Sequence, residues 1–348
     1  MTPPDVVHAT APLRISFVGG GTDFPHWFEH HGGAVLSATI DHHVRVRVSS
    51  RRDRNVRVRS NDLGRLVEYH LDDGPRYDGV MDLVKAAIER VGVPGGIDVS
   101  IESDAPPGSG LGGSSALVVG VVAAVASLRD VPLTADELAR MAHAIERRDL
   151  GIAGGWQDQY AAAFGGLNLI EFTASEVFVS PLDVDPVVLA RLKERLLLCY
   201  TGNVRRNAGL IDAQIRLHAE GREETMLGMK QLHAMVYAMR DAIEQDRLDV
   251  LGGMLREAFE QKKRMNPHIA EHTPIEGMLA AARRAGAIGG KICGAGGGGY
   301  LLVYSPPERR RRVAGALERL GGQLAPFSFS TEGVRARRGD EVWAPRVW

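Results

Sequence analysis

Cysteine is almost absent from this sequence: Cys199 and Cys293 are the only two in 348 residues, each beside apolar or glycine neighbours. Two such residues cannot form a disulfide framework, and their scarcity predicts a protein of a reducing compartment. An excess of one charge is also missing. Lys and Arg number 42 against 43 Asp and Glu, for a net charge of −1. That leaves no concentrated basic face of the kind nucleic acids and anionic membrane surfaces require. The run Arg309-Arg310-Arg311-Arg312 reads as the solvated face of an amphipathic helix. The longest apolar stretch, Ala116 to Ala126, falls short of the ~20 residues of a membrane span. Residues 1–10 lack a basic region followed by an apolar core, so no signal peptide is expected, and the expected location is cytoplasmic. The expected partners are small molecules, and the expected assembly is a monomer or a homodimer.

Glycine, by contrast, is plentiful at 41 residues, and much of it is concentrated. In Pro106-Pro107-Gly108-Ser109-Gly110-Leu111-Gly112-Gly113-Ser114-Ser115-Ala116 four glycines fall within six positions, between an alternating apolar run and a small-residue helix. Glycines let the backbone take positive φ and approach a ligand with its N–H groups exposed. The loop opens onto a helix N-terminus, where the macrodipole adds roughly half a positive charge. Pro107, Gly108, Ser109, Gly110, Leu111, Gly112, Gly113, Ser114 and Ser115 therefore read as a cradle for nucleotide phosphates. A hydroxyl in the first turn can cap the helix, bind a phosphate oxygen or ligate Mg²⁺. Gly108, Gly110 and Gly113 also match the dinucleotide fingerprint formally, but Pro106-Pro107 separates them from the strand and Asp130 precedes a helix start. A Walker loop fails because no lysine precedes the serines.

The length predicts two domains, divided near Val184-Asp185-Pro186 into 1–184 and 185–348. In the first, Ala11 to Val18 reads as a strand delivering Arg14 and ending at Gly19-Gly20-Gly21-Thr22-Asp23. Val35 to Ser50 and Arg54 to Ser60 read as antiparallel strands, Asp82 to Val91 as a helix and Ile97 to Glu102 as the strand before the glycine loop. Thr134 and Glu137 form a capping box starting a helix that reaches Arg147 and carries Glu146. A glycine-rich bend then leads to Asp158 in the first turn of another helix. His26 and His30 stand four apart beside Glu29, but the spacing does not make a metal-hydrolase signature. In the second, Leu196 to Tyr200 reads as a strand, 206–218, 224–245 and 249–264 as helices, 309–320 as a helix and 323–331 as a closing strand. A second glycine loop, Lys291 to Gly299, joins two strands. This order predicts an α+β sandwich.

Arg14 to Asp23, Pro106 to Ala116 and Lys291 to Gly299 stand in order, about 90 and about 180 residues apart. Together they resemble the three motifs of the galactokinase, homoserine kinase, mevalonate kinase and phosphomevalonate kinase (GHMP) superfamily over essentially the full chain. The resemblance implies a ribosomal protein S5 domain 2-like N-terminal domain and a ferredoxin-like C-terminal domain. Ala11 to Asp23, Gly155 to Tyr160 and Tyr200-Thr201-Gly202 with Arg205 further resemble the D-glycero-D-manno-heptose 7-phosphate kinases, which phosphorylate an anomeric hydroxyl; fucokinase domains share much of this pattern. By that resemblance ATP is the donor. Mg²⁺ is held by Ser114 and Glu146, with Ser115 the neighbouring alternative. Asp158 is the base or the orienter for the sugar hydroxyl, and a positioned base is typically worth ~10² to 10⁴ in rate. Arg14 pairs with Asp158 and offsets charge on the transferred phosphoryl. Gly21, Thr22 and Asp23 contact the sugar, and Gly296 and Gly297 close over the ligand. Read from charge chemistry, Arg205 and Arg206 just after the Thr-Gly turn, with Lys291 beside the second glycine loop, are candidate cations for a sugar phosphate. The Glu-His pair that precedes Thr-Asp in galactokinases is replaced by Gly20-Gly21, which argues against galactose. A sugar sensor on the same fold would have lost Asp158 or the second motif, and neither is lost.

Overall fold

A computed structural model describes residues 5–202, 208–271 and 273–339. Its N-terminal half is built on two long strands. β1 (Val6–Val18) carries β-branched and small residues, and all thirteen of its residues are buried. A glycine bend and helix α1 (Pro25–His31) return the chain into β2 (Gly33–Ser50), antiparallel to β1 along its length. β3 (Asn55–Ser60), β4 (Arg65–His70), helix α2 (Asp82–Val91) and β5 (Ile97–Ser103) follow. β3 does not pair with β2 as a simple hairpin reading of the alternation implies. β5 inserts between them, antiparallel to β2 and parallel to β3, which pairs antiparallel with β4. α2 supplies the crossover that a parallel pair needs.

Helix α3 (Gly113–Leu128) is apolar on every side, and from Ser115 to Ala126 only Leu117 escapes full burial. A helix of that kind must be enclosed, and it packs on β1 and β2 with α2, α4 (Ala135–Ala144) and α5 (Gln157–Phe164) around it. The capping box at the start of α4 forms as expected: Glu137 N donates to Thr134 Oγ1 at 3.2 Å and Thr134 N to Glu137 Oε2 at 2.7 Å. α4 ends earlier than the sequence suggested, because Ile145–Asp149 widens into a π turn. β6 (Leu167–Phe172) pairs with the first half of β2, and β7 (Val177–Pro181) with β6.

The apparent boundary at Asp185-Pro186 is a helix start. Pro186 sits where a missing N–H costs nothing, and Asp185 accepts from Val187 N at 2.7 Å, opening α6 (Pro186–Arg195). β8 (Leu196–Tyr200) then joins a second, four-stranded antiparallel sheet. Helices α7 (Ala208–Ala219), α8 (Glu223–Glu244), α9 (Leu251–Met265) and α10 (Ile275–Arg284) precede β9 (Gly289–Ile292), β10 (Tyr300–Tyr304), α11 (Arg310–Glu318) and β11 (Gln323–Ala325), in the strand order β11-β8-β10-β9. The expected closing strand stops at Ala325 because Pro326 has no N–H to donate. The chain instead crosses back: Phe329 bridges Ile40, and β12 (Arg335–Arg338) pairs with β1. A division after residue 184 thus separates the two sheets for every strand but β12. The architecture is α+β, and among the described residues no helix is long and apolar enough to cross a membrane.

Candidate active site between the two sheets

The two glycine loops meet. A Cβ on Gly110 would lie 2.7 Å from the Cys293 carbonyl oxygen, and one on Gly299 2.2 Å from that of Ser109. Side chains at these positions would hold the loops apart. Above the contact opens a cavity of about 750 Å³ that collects Arg14, Gly21, Asp23, Glu146, Asp158, Lys262 and Lys291 beside both loops.

Its floor is the start of α3. Gly108, Gly110 and Gly112 have φ of 74°, 83° and 75°, and Gly112 forms the N-cap without any side-chain cap. The first-turn N–H groups of α3 are thus free of a capping side chain, as an anion site requires. Pro107, Gly108, Ser109, Gly110, Gly112, Gly113, Ser114 and Ser115 line the cavity. Leu111 does not: it is buried beneath, and its carbonyl accepts from Arg14 N at 3.0 Å.

One wall is the start of α5. Asp158 Oδ1 accepts from Arg14 Nε at 2.8 Å and lies 2.6 Å from Nη2, while Arg14 Nη1 donates to Gly110 O at 2.6 Å. Arg14 is buried, whereas the Asp158 side chain keeps 26% of its surface exposed to the cavity. The guanidinium therefore ties the carboxylate to the glycine loop in one fixed arrangement.

Behind it stands a buried carboxylate. Glu146, carried on the π turn, lies 3.2 Å from Arg147 Nη1, and Gln159 Nε2 donates both to Glu146 Oε1 at 2.8 Å and to Ser115 Oγ at 3.1 Å. Burial pushes the Glu146 carboxyl above its usual range, against the pull of Arg147 and a hydrogen bond from Ser115. Glu146 therefore adjoins Ser115, while Ser114 is exposed on the cavity side. A carboxylate with a hydroxyl is a hard oxygen donor set, suited to a Mg²⁺ ion that takes one or two protein ligands and fills its other positions with phosphate and water.

The remaining expectations divide. Asp23 reaches the cavity wall, but its carboxylate accepts from Gly21 N at 2.9 Å, Gln157 N at 3.2 Å and Gln157 Nε2 at 3.1 Å, so it also clamps the glycine bend to the start of α5. Burial raises its pKa against those N–H donors. Thr22 is not brought to the cavity. It is fully buried, and its hydroxyl is held between the carbonyls of Gly19 and Ala34, each at 2.8 Å. Gly296 and Gly297 also face away. Gly297 N donates to Ile269 O at 2.8 Å and a Cβ on Gly296 would strike Ile269, so the loop presents Gly294 and Ala295 instead. Lys291 lines the cavity. Arg205 and Arg206 lie outside the described residues.

Sequence reading passed over Lys262, Gln157, Gln214 and Ser16, all in the cavity wall. Ser16 Oγ, Gln157 Oε1, Gln214 Nε2 and Arg147 Nε are buried without a hydrogen-bond partner among the described residues. Buried polar atoms of this kind around a cavity are the lining expected for a polar ligand.

The chain matches the GHMP kinases N terminal domain over residues 79–166 and the GHMP kinases C terminal domain over 239–323. It is 34% identical over 341 residues to a D-glycero-alpha-D-manno-heptose 7-phosphate kinase of Campylobacter jejuni, covering 95% of this chain and 99% of that one. A crystal structure described as a D-glycero-D-manno-heptose 1-phosphate kinase from Bacteroides thetaiotaomicron superposes with a TM-score of 0.81 at 28% identity, over 97% of this chain and all (100%) of the other. One described as a putative sugar kinase from Campylobacter jejuni gives 0.77 at 32% identity, over 96% and 98%.

Proposed function

This chain belongs to the GHMP kinases, and from that premise we propose that it transfers the γ-phosphoryl group of ATP to the anomeric hydroxyl of D-glycero-D-manno-heptose 7-phosphate, giving the 1,7-bisphosphate. The observation that carries the reading is Asp158, held by Arg14 at 2.6 to 2.8 Å and partly open to a cavity floored by the uncapped N-terminus of α3. In this reading the backbone N–H groups of 108–115 hold the donor phosphates. Asp158 takes the proton of the acceptor hydroxyl as its oxygen bonds the γ-phosphorus and the bond to the β–γ bridging oxygen breaks, releasing ADP. Arg14 orients Asp158 and offsets charge on the phosphoryl oxygens in flight. Bound Mg²⁺ would be held by Glu146 and Ser115 and would supply charge neutralisation on the phosphates.

The sugar choice is supported by the relative's name and by the Gly20-Gly21 bend. A Cβ at Gly21 would lie 2.8 Å from Met265 Sδ and 2.9 Å from Gln214 Nε2, so the acceptor wall here is made by α7 and α9 in place of side chains from the bend. The test is ADP release measured across a panel of sugars and sugar phosphates, with ³¹P NMR of the product. A new anomeric phosphate on heptose 7-phosphate is the expected result. Turnover on fucose equal to or above that on heptose 7-phosphate, or a product phosphorylated away from C1, would overturn it.

A further inference from the structure

Two amines in the cavity wall have no place in the mechanism above. Along α9, Leu251, Leu255, Ala258, Phe259, Lys262 and Met265 form the buried face, so helical periodicity turns Lys262 inward and leaves its neighbours Lys263 and Arg264 outside. Lys262 is 7% exposed and donates to the Gly294 carbonyl; Lys291, on β9, is 4% exposed and donates to Ser16 O at 2.6 Å. Each ammonium has three donors and spends one on a carbonyl. Neither forms an ion pair with a carboxylate among the described residues. Arg14, the third cation here, already has Asp158. Burying like charges side by side without a counter-ion is costly, and an anion entering the cavity removes the cost.

We propose that Lys262 and Lys291 form a phosphoryl-binding subsite, taking one dianionic phosphate of a ligand between α9, β9 and the second glycine loop. The proposal rests on the kinase reading and adds to it the residues that meet that phosphate. The dianion has two possible sources, the γ-phosphate of the donor and the acceptor's own phosphate. Burial and the repulsion of Lys291 bring Lys262 down to about 7, and burial brings Lys291 to about 8. The other charged or titratable groups acting on the pair are Arg14, Asp23 and Cys293. A bound dianion favours both charged amines, so affinity falls as pH rises through 7 and 8.

The test is calorimetric binding of Mg·AMP-PNP, Mg·ADP and heptose 7-phosphate, alongside kcat/KM on heptose 7-phosphate and on unphosphorylated heptose. Lys262→Gln, Lys291→Gln and Lys262→Arg are compared with the exposed control Lys230→Gln. Each Gln variant should weaken a phosphate-bearing ligand about tenfold or more. Lys262→Arg should retain binding and lose the fall-off above pH 7, since guanidinium stays charged. Loss confined to AMP-PNP, with ADP unchanged, identifies the γ-phosphate; loss confined to heptose 7-phosphate, with heptose unchanged, identifies the acceptor. Unchanged binding of all three ligands in Lys262→Gln overturns the proposal. So does an equal loss for ADP and AMP-PNP with a lowered Tm that Lys262→Arg does not rescue, which marks a strut for Gly294. The binding arms report even if heptose 7-phosphate is not turned over, so failure of the substrate assignment is seen separately.

Discussion

Gly110 and Gly294 touch backbone to backbone: a Cβ on Gly294 would sit 2.6 Å from the Gly110 Cα, at a φ of 62° that side chains rarely adopt. Two loops 184 residues apart in sequence thereby share one surface, and in the proposed reading the first of them holds the donor phosphates. Gly294→Ala should cost about 1 kcal/mol in backbone strain alone and displace the loops further, raising KM for ATP about tenfold or more. Gly253→Ala is the control, since nothing lies within 4 Å of its added Cβ. It should leave KM near wild type and raise Tm slightly, because alanine is the better helix former; equal effects of the two variants on KM would show that loop contact is irrelevant to nucleotide binding.

Asp158→Asn keeps the size of the side chain and removes the carboxylate proposed to accept the hydroxyl proton. Turnover should drop by at least ~10² while the Kd for Mg·AMP-PNP stays near wild type, and Tm should fall because the buried Arg14 loses its counter-ion. Wild-type-like turnover would reduce Asp158 to a favourable acid at a helix start. Arg14→Lys keeps the charge but loses the fork that reaches Asp158 and Gly110 together. It should fall mainly in kcat, because the base is then held less firmly.

What the sequence made legible was what depends on spacing. Three glycine-rich stretches, the capping box at Thr134 and the apolar length of α3 each carry their structure in local residue types. The rest depends on contacts that spacing does not encode. Ser115 and Ser114 differ by 100° of helix rotation, and α3 is buried on nearly all sides, so no polar face marks which serine meets Glu146. Lys262 was hidden in a basic run that resembles a solvated helix end, although its phase with Leu255 and Phe259 marks the inward face. Thr22 and Gly296 look like ligand contacts by type and are turned inward by bonds and packing to Gly19, Ala34 and Ile269. The parallel β3–β5 pair and the return of β12 to β1 are long-range choices that alternation along one strand cannot report.

Acid should destabilise the fold through His143. Its ring stacks on Trp156 at 3.6 Å, and Nε2 has no hydrogen-bond partner among the described residues. Burial, then Arg147 and Arg148, lower its pKa to about 3. The unfolded chain takes up this proton near pH ~6.5, the folded one only near 3. Stability is therefore full above 6.5 and is lost as pH falls from there towards 3. His26, lowered to about 4, acts in the same direction; Asp23 and Glu146, raised by burial, act oppositely. His143→Phe keeps an aromatic ring on Trp156 and removes the titration, so it should recover about 2 kcal/mol at pH 5 relative to pH 7.5. Calorimetric scans at both pH values check this; parallel pH curves for the two proteins would exclude His143 as a source.

The two serines at the start of α3 make separable predictions about Mg²⁺. Ser115 is buried beside Glu146, and Gln159 Nε2 bonds to both side chains, whereas Ser114 is exposed to the cavity. Mg²⁺ demands near-ideal octahedral oxygen geometry, so removing one protein oxygen should raise the metal requirement even when the phosphates remain. Ser115→Ala and Glu146→Gln should each shift the Mg²⁺ concentration for half-maximal activity upward by about tenfold or more, with a smaller change in the Kd for metal-free nucleotide. Ser114→Ala should leave the Mg²⁺ curve in place and act, if at all, on nucleotide affinity through the lost hydroxyl. The opposite pattern, with Ser114→Ala shifting the metal curve and Ser115→Ala not, would return the ligand role to Ser114. Overlay of all three curves on wild type would remove Glu146 from the metal site and leave it a buried acid held by Gln159 and Arg147.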